Sequence, residues 1–147
     1  MLYSHDGIHD SQTHLSSPPY FYEQLRKEMA LSIRKNSPLA LIKVIFDNPD
    51  SEQVRATDVL HFSHELSALT RKEDCVARMG VNEVVIIVPG GQSEVEPFLD
   101  RLMHATSLTV NHTLQIRFAR VLAEAQENEL TVLERLEEAP LLSIGRQ

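Results

Sequence analysis

Arg71 and Asp74 stand three residues apart, so one turn of chain can present a guanidinium and a carboxylate together. A guanidinium makes paired bonds to an anion such as phosphate and stacks on a flat aromatic face. A carboxylate accepts from N–H and O–H donors. Alone, such a pair reads as a solvated ion pair worth ~0–1 kcal/mol, so its meaning depends on what surrounds it. His5, His9 and Asp10 could hold a metal only on a helix, and nothing predicts a helix there. His61 and His64 lie three apart, a spacing that can suit zinc on a helix. Neither grouping has an obvious third ligand, so both read as surface histidines. Cys75 follows Asp74 with no base beside it, and reads as a packing residue rather than a nucleophile. No metal site and no cofactor are expected.

The chain that must position these residues has 147 of them, enough for one domain with a core of ordinary size. Its hydrophobic fraction of 42% and charged fraction of 24% are those of a globular protein. The net charge of −7 argues against general affinity for nucleic acid or anionic lipid. A small anion could still bind where arginines converge. The single cysteine precludes an internal disulfide and suits a reducing compartment. No apolar run approaches the ~18–20 residues of a membrane span, and the polar N-terminus does not resemble a signal peptide. A cytoplasmic location is therefore expected, and the cytosolic domain of a larger membrane-associated protein would read the same way.

Residues 1–17 lack apolar periodicity and read as a mobile arm or irregular lead-in to a domain over 18–147. Pro18 and Pro19 suit the opening of a helix, and Phe21, Leu25, Met29 and Ile33 mark its apolar stripe to about Asn36. Leu39 to Phe46 is a nearly unbroken apolar run, as in a buried strand. Asp50 or Ser51 can cap a second helix that carries Val59, Phe62, Leu66 and Leu69. Val76 to Met79 and Val84 to Val88 are short strands around Gly80-Val81-Asn82, a hairpin signal. Gly90-Gly91 precedes a third helix with Val95, Phe98, Leu99 and Leu102 on one face. Leu114, Ile116 and Phe118 alternate as in a half-buried strand, and Leu130, Leu133 and Leu136 suggest a last short helix whose acidic stretch, Glu134 to Glu138, faces solvent. The order within the terminal helices is β-α-β-β-α-β, which predicts an α+β, ferredoxin-like fold. Strands are expected at 39–46, 75–79, 84–89 and 114–121, in an antiparallel sheet with helices 52–69 and 94–105 on one face.

The stretch from Arg71 to Val84 resembles the pattern of GGDEF (diguanylate cyclase-type) domains, RxxD followed after five residues by the signature. Here the signature reads Gly80-Val81-Asn82-Glu83-Val84, keeping Gly80 and Glu83. Asp10, Thr13 and Leu15 followed by Phe21 look like the family's DxLTGLxNRRxF segment, without its asparagine and arginines. Pro38-Leu39-Ala40-Leu41 resembles the start of the family's first strand, and Val88-Pro89 the end of the strand after the signature. The similarity runs from Asp10 to about Glu138.

The resemblance implies a degenerate domain. Working members hold divalent metal on two carboxylates beside the GTP phosphates, as phosphoryl transfer requires. Aligned on the first strand, Ile45 stands at one of these positions and Asn82 at the other. A hydrocarbon cannot ligate a hard cation, and one amide replaces a carboxylate poorly. Val81 stands where a glycine lets backbone approach phosphate. The segment after Asp47 is shorter than the family's, leaving the guanine-recognising Asn and Asp without counterparts. Glu83, lacking its partners, is expected to be a surface residue of the hairpin. The RxxD element is intact, and in the family it forms an inhibitory site for cyclic di-GMP. The resemblance thus implies a catalytically inactive receptor that binds cyclic di-GMP through Arg71 and Asp74, with Arg101 near the position of an assisting arginine. A protein-interaction or dimerisation domain that binds no nucleotide is the main alternative. An enzyme with unusual metal ligation, or an unrelated ferredoxin-like module, also remains open.

Overall fold

The structure, a computed structural model, describes residues 7–48, 54–71, 74–105 and 114–143. Helix α1 (Pro18–Lys35) opens on its paired prolines, where missing N–H groups leave no helical bond unmade. It ends at Asn36, whose left-handed backbone (φ 51°) turns its N–H back to the helix carbonyls. Strand β1 (Leu39–Asp47) follows, then α2 (Ala56–Leu69), β2 (Cys75–Gly80) and β3 (Glu83–Pro89). Helix α3 (Gln92–Met103), β4 (Gln115–Leu122), α4 (Glu129–Glu138) and a two-residue β5 (Leu142–Ser143) complete the order.

The strands form one antiparallel sheet in the order β2-β3-β1-β4-β5. Helices cover both faces, which explains why β1 reads as an almost continuous apolar run. Its even positions, Ala40 to Phe46, join Val59, Phe62 and Leu66 of α2 and Val95, Phe98, Leu99 and Leu102 of α3 in one core layer. The odd positions Leu39 and Leu41 join Val85, Ile87 and Ala119 under Phe21, Leu25 and Met29 of α1 and Val132 and Leu136 of α4. Each fully buried side chain of this size contributes ~1.5–3 kcal/mol of transfer free energy. The antiparallel sheet and the placement of α2 and α3 on one face agree with the sequence reading.

Three features differ from it. The caps expected at Asp50 or Ser51 lie outside the described residues, and α2 begins at Ala56 after Arg55. In α4 the buried face is Val132 and Leu136, whereas Leu130 is 74% exposed. The rotation of α4 follows from its tethers: Asn128 Oδ1 accepts the Thr131 N–H at 2.9 Å. Arg135 grips Glu127 with two bonds of 2.6 and 2.7 Å and the Leu122 carbonyl with a third. Finally, residues 7–17 carry no helix or regular strand, yet they are not an arm. Ser16 donates its N–H to the Val76 carbonyl and accepts from the Arg78 N–H, each at 2.9 Å, covering the outer edge of β2.

Candidate functional site

The signature hairpin is held from beneath by a buried ion pair that spacing along the sequence does not reveal. Asp10 and Arg78 are 68 residues apart, and both are buried, with Nη1 of Arg78 3.2 Å from Oδ2 of Asp10. Arg78 also donates to Gln12 Oε1 at 2.7 Å, to the Gly80 carbonyl at 3.2 Å and to the Val81 carbonyl at 2.8 Å. The same Asp10 oxygen accepts from the backbone N–H and hydroxyl of Thr13. One guanidinium thereby ties the lead-in segment to both carbonyls of the tight turn. Its role is positional. The only advance signal was Asp10 and Thr13 standing in a family-like segment, and nothing singled out Arg78.

Within the hairpin, Gly80 pairs with Glu83, so Val81 and Asn82 form the turn, and an irregularity lies between Arg78 and Gly80. Val81 is exposed at the tip, while Val84 is buried in the core. Ile45 of β1 is paired with Glu83 on one side and Arg117 on the other. The Phe46 N–H donates to the Asn82 carbonyl at 3.0 Å. These three strands therefore bring Glu83, Ile45 and Arg117 into one row, with Arg117 bonded to Asp47 at 3.1 Å. Glu83 is partly buried rather than a surface residue. Burial raises its carboxyl above the ordinary glutamate value, Lys43 opposes that rise, and Glu137 adds to it. Among the described residues, no three His, Cys, Asp or Glu side chains gather as a metal ion would need. A row of one carboxylate, one hydrocarbon and one arginine does not fit a hard divalent cation.

Arg71 and Asp74 close a turn of their own between α2 and β2. The Arg71 N–H donates to Asp74 Oδ2 at 3.0 Å, and the Asp74 N–H donates to the Arg71 carbonyl at 3.1 Å. This reciprocal pair fixes the two residues relative to each other and leaves Arg71 exposed. Facing it is the N-terminus of α3, where the Gly91 N–H donates to Glu94 Oε1 at 2.8 Å. That bond is the first cause holding the Glu94 carboxyl below its ordinary value, and the Arg71 charge contributes in the same direction. Gly90 makes the fold-back possible: at φ 156° it takes a backbone that L side chains rarely adopt, and a Cβ there would stand 2.8 Å from Glu94 Cβ. Arg101 lies seven residues beyond Glu94, ~10 Å along the helix. It is exposed, with its guanidinium 5.2 Å from the Phe98 ring centre.

The remaining candidates resolve simply. His61 is partly buried and His64 exposed on α2, His9 is exposed, and His5 lies outside the described residues. Burial pushes the Cys75 thiol up, against a hydrogen bond from Ser16, which keeps it protonated and a poor nucleophile.

No family model matches the sequence, and no curated protein does. Solved structures do match. The GGDEF domain of DgcB from Caulobacter crescentus, solved in complex with c-di-GMP, superimposes with a TM-score of 0.78 at 16% identity. That match covers 94% of this chain and 88% of that one. The fold is that of GGDEF domains. Diguanylate cyclase SiaD from Pseudomonas aeruginosa, solved with its activator SiaC, is similar at a TM-score of 0.77 and 18% identity. Here 90% of this chain is covered but only 56% of SiaD. A microbial GGDEF domain described in a novel interaction mode with bis-(3,5)-cyclic di-GMP gives 0.76 and 15% identity, with 89% and 86% covered. Among the described residues, no helix is long and apolar enough to cross a membrane.

Proposed function

We propose that this chain is a catalytically inactive, GGDEF-like receptor domain that binds cyclic di-GMP through Arg71 and Asp74. The observation that supports the reading is their reciprocal turn, in which the Arg71 backbone N–H bonds the Asp74 carboxylate and the Asp74 N–H bonds the Arg71 carbonyl, with Arg71 exposed and the pair at the three-residue spacing of the RxxD pattern. A bound cyclic dinucleotide would offer phosphate and guanine edges to Arg71, and guanine N–H donors to Asp74. Arg101 assists if the ligand reaches from the start of α3 to its last turn. Two similar folds were solved with this ligand, DgcB and the microbial GGDEF domain. The inactivity rests on Ile45 and Asn82 at the positions aligned with metal-binding carboxylates, and on Val81 at the turn. A cyclic di-GMP receptor of this kind works in the cytoplasm, where it can be part of a larger protein.

Calorimetric titration tests the proposal. Arg71→Ala should weaken binding roughly 10- to 150-fold, if each charged bond contributes ~1.5–3 kcal/mol. Asp74→Ala should act similarly, Arg101→Ala less. GTP serves as the control ligand, and the same samples should form no cyclic di-GMP from it with magnesium or manganese. Wild-type turnover above a no-protein control would overturn the inactivity. If cyclic di-GMP gives no heat at high micromolar concentration, the receptor reading gives way to the interaction-domain alternative.

A further inference from the structure

An open groove of about 690 Å³ runs between α1 and α4, on the sheet face opposite α2 and α3. Tyr22 of α1 and Leu130 and Leu133 of α4 form its walls. Tyr22 is 48% and Leu130 74% exposed, unusual for side chains of this size that line a common depression. On α4 the groove-lining positions are 130, 133, 134, 136 and 137, the three- and four-residue steps of one helix ridge. A ridge of this kind, standing beside a second helix over a sheet, accepts a third helix.

The polar lining is predominantly acidic. Glu83, Glu134 and Glu137 meet the groove, against Lys43 as the one cation. Glu83 and Glu137 repel each other across it, and that repulsion is among the causes that raise the Glu83 carboxyl. Lys43 is the second independent signal. It is 5% exposed, it lines the groove floor, and among the described residues no hydrogen bond or ion pair takes its ammonium. Its stem is buried while its ammonium opens on the groove, where an occupant that supplies an acceptor gains a charge-assisted bond.

We propose that this groove docks an amphipathic helix of a partner protein, with a leucine-rich stripe flanked by lysine or arginine. Its cations neutralise Glu83, Glu134 and Glu137, its apolar stripe covers Tyr22, Leu130 and Leu133, and one acceptor meets Lys43. Phosphate-bearing ligands face three carboxylates here and are repelled. A second copy of this chain carries a net charge of −7 toward an acidic rim, which disfavours self-association through this face. The inference does not depend on the Arg71 site, which lies between α2 and β2 beside α3.

The test uses a fluorescently labelled synthetic helix of leucine and lysine, about 18 residues or five turns long, titrated against the full chain by anisotropy. Wild type should bind it, with affinity falling as salt rises to about 0.5 M. The same peptide with glutamate for lysine should not bind. Leu130→Asp, a substitution at an exposed position, should weaken binding roughly tenfold or more, as should Glu134→Lys with Glu137→Lys. Glu65→Lys with Asp100→Lys makes the same charge change on the opposite helices, and should stay within about twofold of wild type. Circular dichroism confirms that each variant is folded. The proposal is overturned if the opposite-face variant loses as much affinity, if Leu130→Asp loses none, or if the glutamate peptide binds equally. Arg71→Ala should leave peptide binding unchanged, so failure at the dinucleotide site and failure here are told apart.

Discussion

Glu83 shows how burial can turn a signature residue into a pH-dependent element of stability. Its carboxyl is held above the ordinary 4.5, chiefly by desolvation. The folded chain therefore binds this proton more tightly than the unfolded chain does. Stability is greatest below the unfolded value and falls as pH rises from about 4.5 through the raised folded value. Glu83→Gln removes that loss. Urea titrations should show the variant more stable than wild type near pH 7 and equal to it near pH 4; equal gains at both would contradict the assignment. Arg78 makes a larger prediction. Arg78→Ala strands the buried Asp10 carboxylate and releases the turn carbonyls, which should cost about 3–5 kcal/mol in chemical denaturation. A loss below about 1 kcal/mol, the scale of an exposed pair, would contradict the positional role. The row across β3, β1 and β4 bears on catalysis. Ile45→Asp would place a carboxylate between Glu83 and Arg117, whose guanidinium, already bonded to Asp47, keeps a positive charge beside the new carboxylate. Ile45→Asp with Asn82→Asp should therefore still form no cyclic di-GMP from GTP with manganese, and measurable turnover would show that the row is not the obstacle.

The elements were legible wherever burial imposes a period on the chain. Leu39–Phe46 read as a buried strand because both of its faces are covered, and the stripes of α2 and α3 read as helices because each buries one face. The hairpin was marked by its own turn residues. What escaped the sequence depends on contacts distant in the chain. Arg78 gains its meaning from Asp10, 68 residues away, so no local spacing could announce it. On α4, Arg135 grips Glu127, and of the leucines at 130, 133 and 136 only Leu130 departs from the core, Leu136 being buried and Leu133 packed against it. Two-residue β5 is too short to carry a period. Of the candidate site, Arg71 and Asp74 were visible as a spaced pair, but Glu94, which shapes the charge around Arg71, lies on the next helix. The lead-in segment gives a prediction at this scale. A chain starting at Pro18 loses Asp10 and uncovers the edge of β2, and it should melt at lower temperature and associate through that edge. Circular dichroism and size-exclusion chromatography measure both; unchanged melting and a monomeric profile would show that the segment is dispensable.

At the scale of the whole molecule, a GGDEF-type sheet carries two surfaces that differ in charge and position. One is the turn of Arg71 and Asp74 beside the start of α3. The other is the acidic, apolar groove between α1 and α4. If the first receives cyclic di-GMP, as proposed, ligand at about 100 times its dissociation constant stabilises the fold by ~2.7 kcal/mol. Where the ligand sits is the sharper question. A titration of the ¹⁵N-labelled chain with cyclic di-GMP, followed amide by amide, answers it directly. Binding at the Arg71 turn gives saturable shifts centred on Arg71, Asp74 and the first turns of α3, with the amides of Glu83, Leu130 and Glu134 left in place. Shifts clustered in the α1–α4 groove, or none at high micromolar ligand, would contradict it.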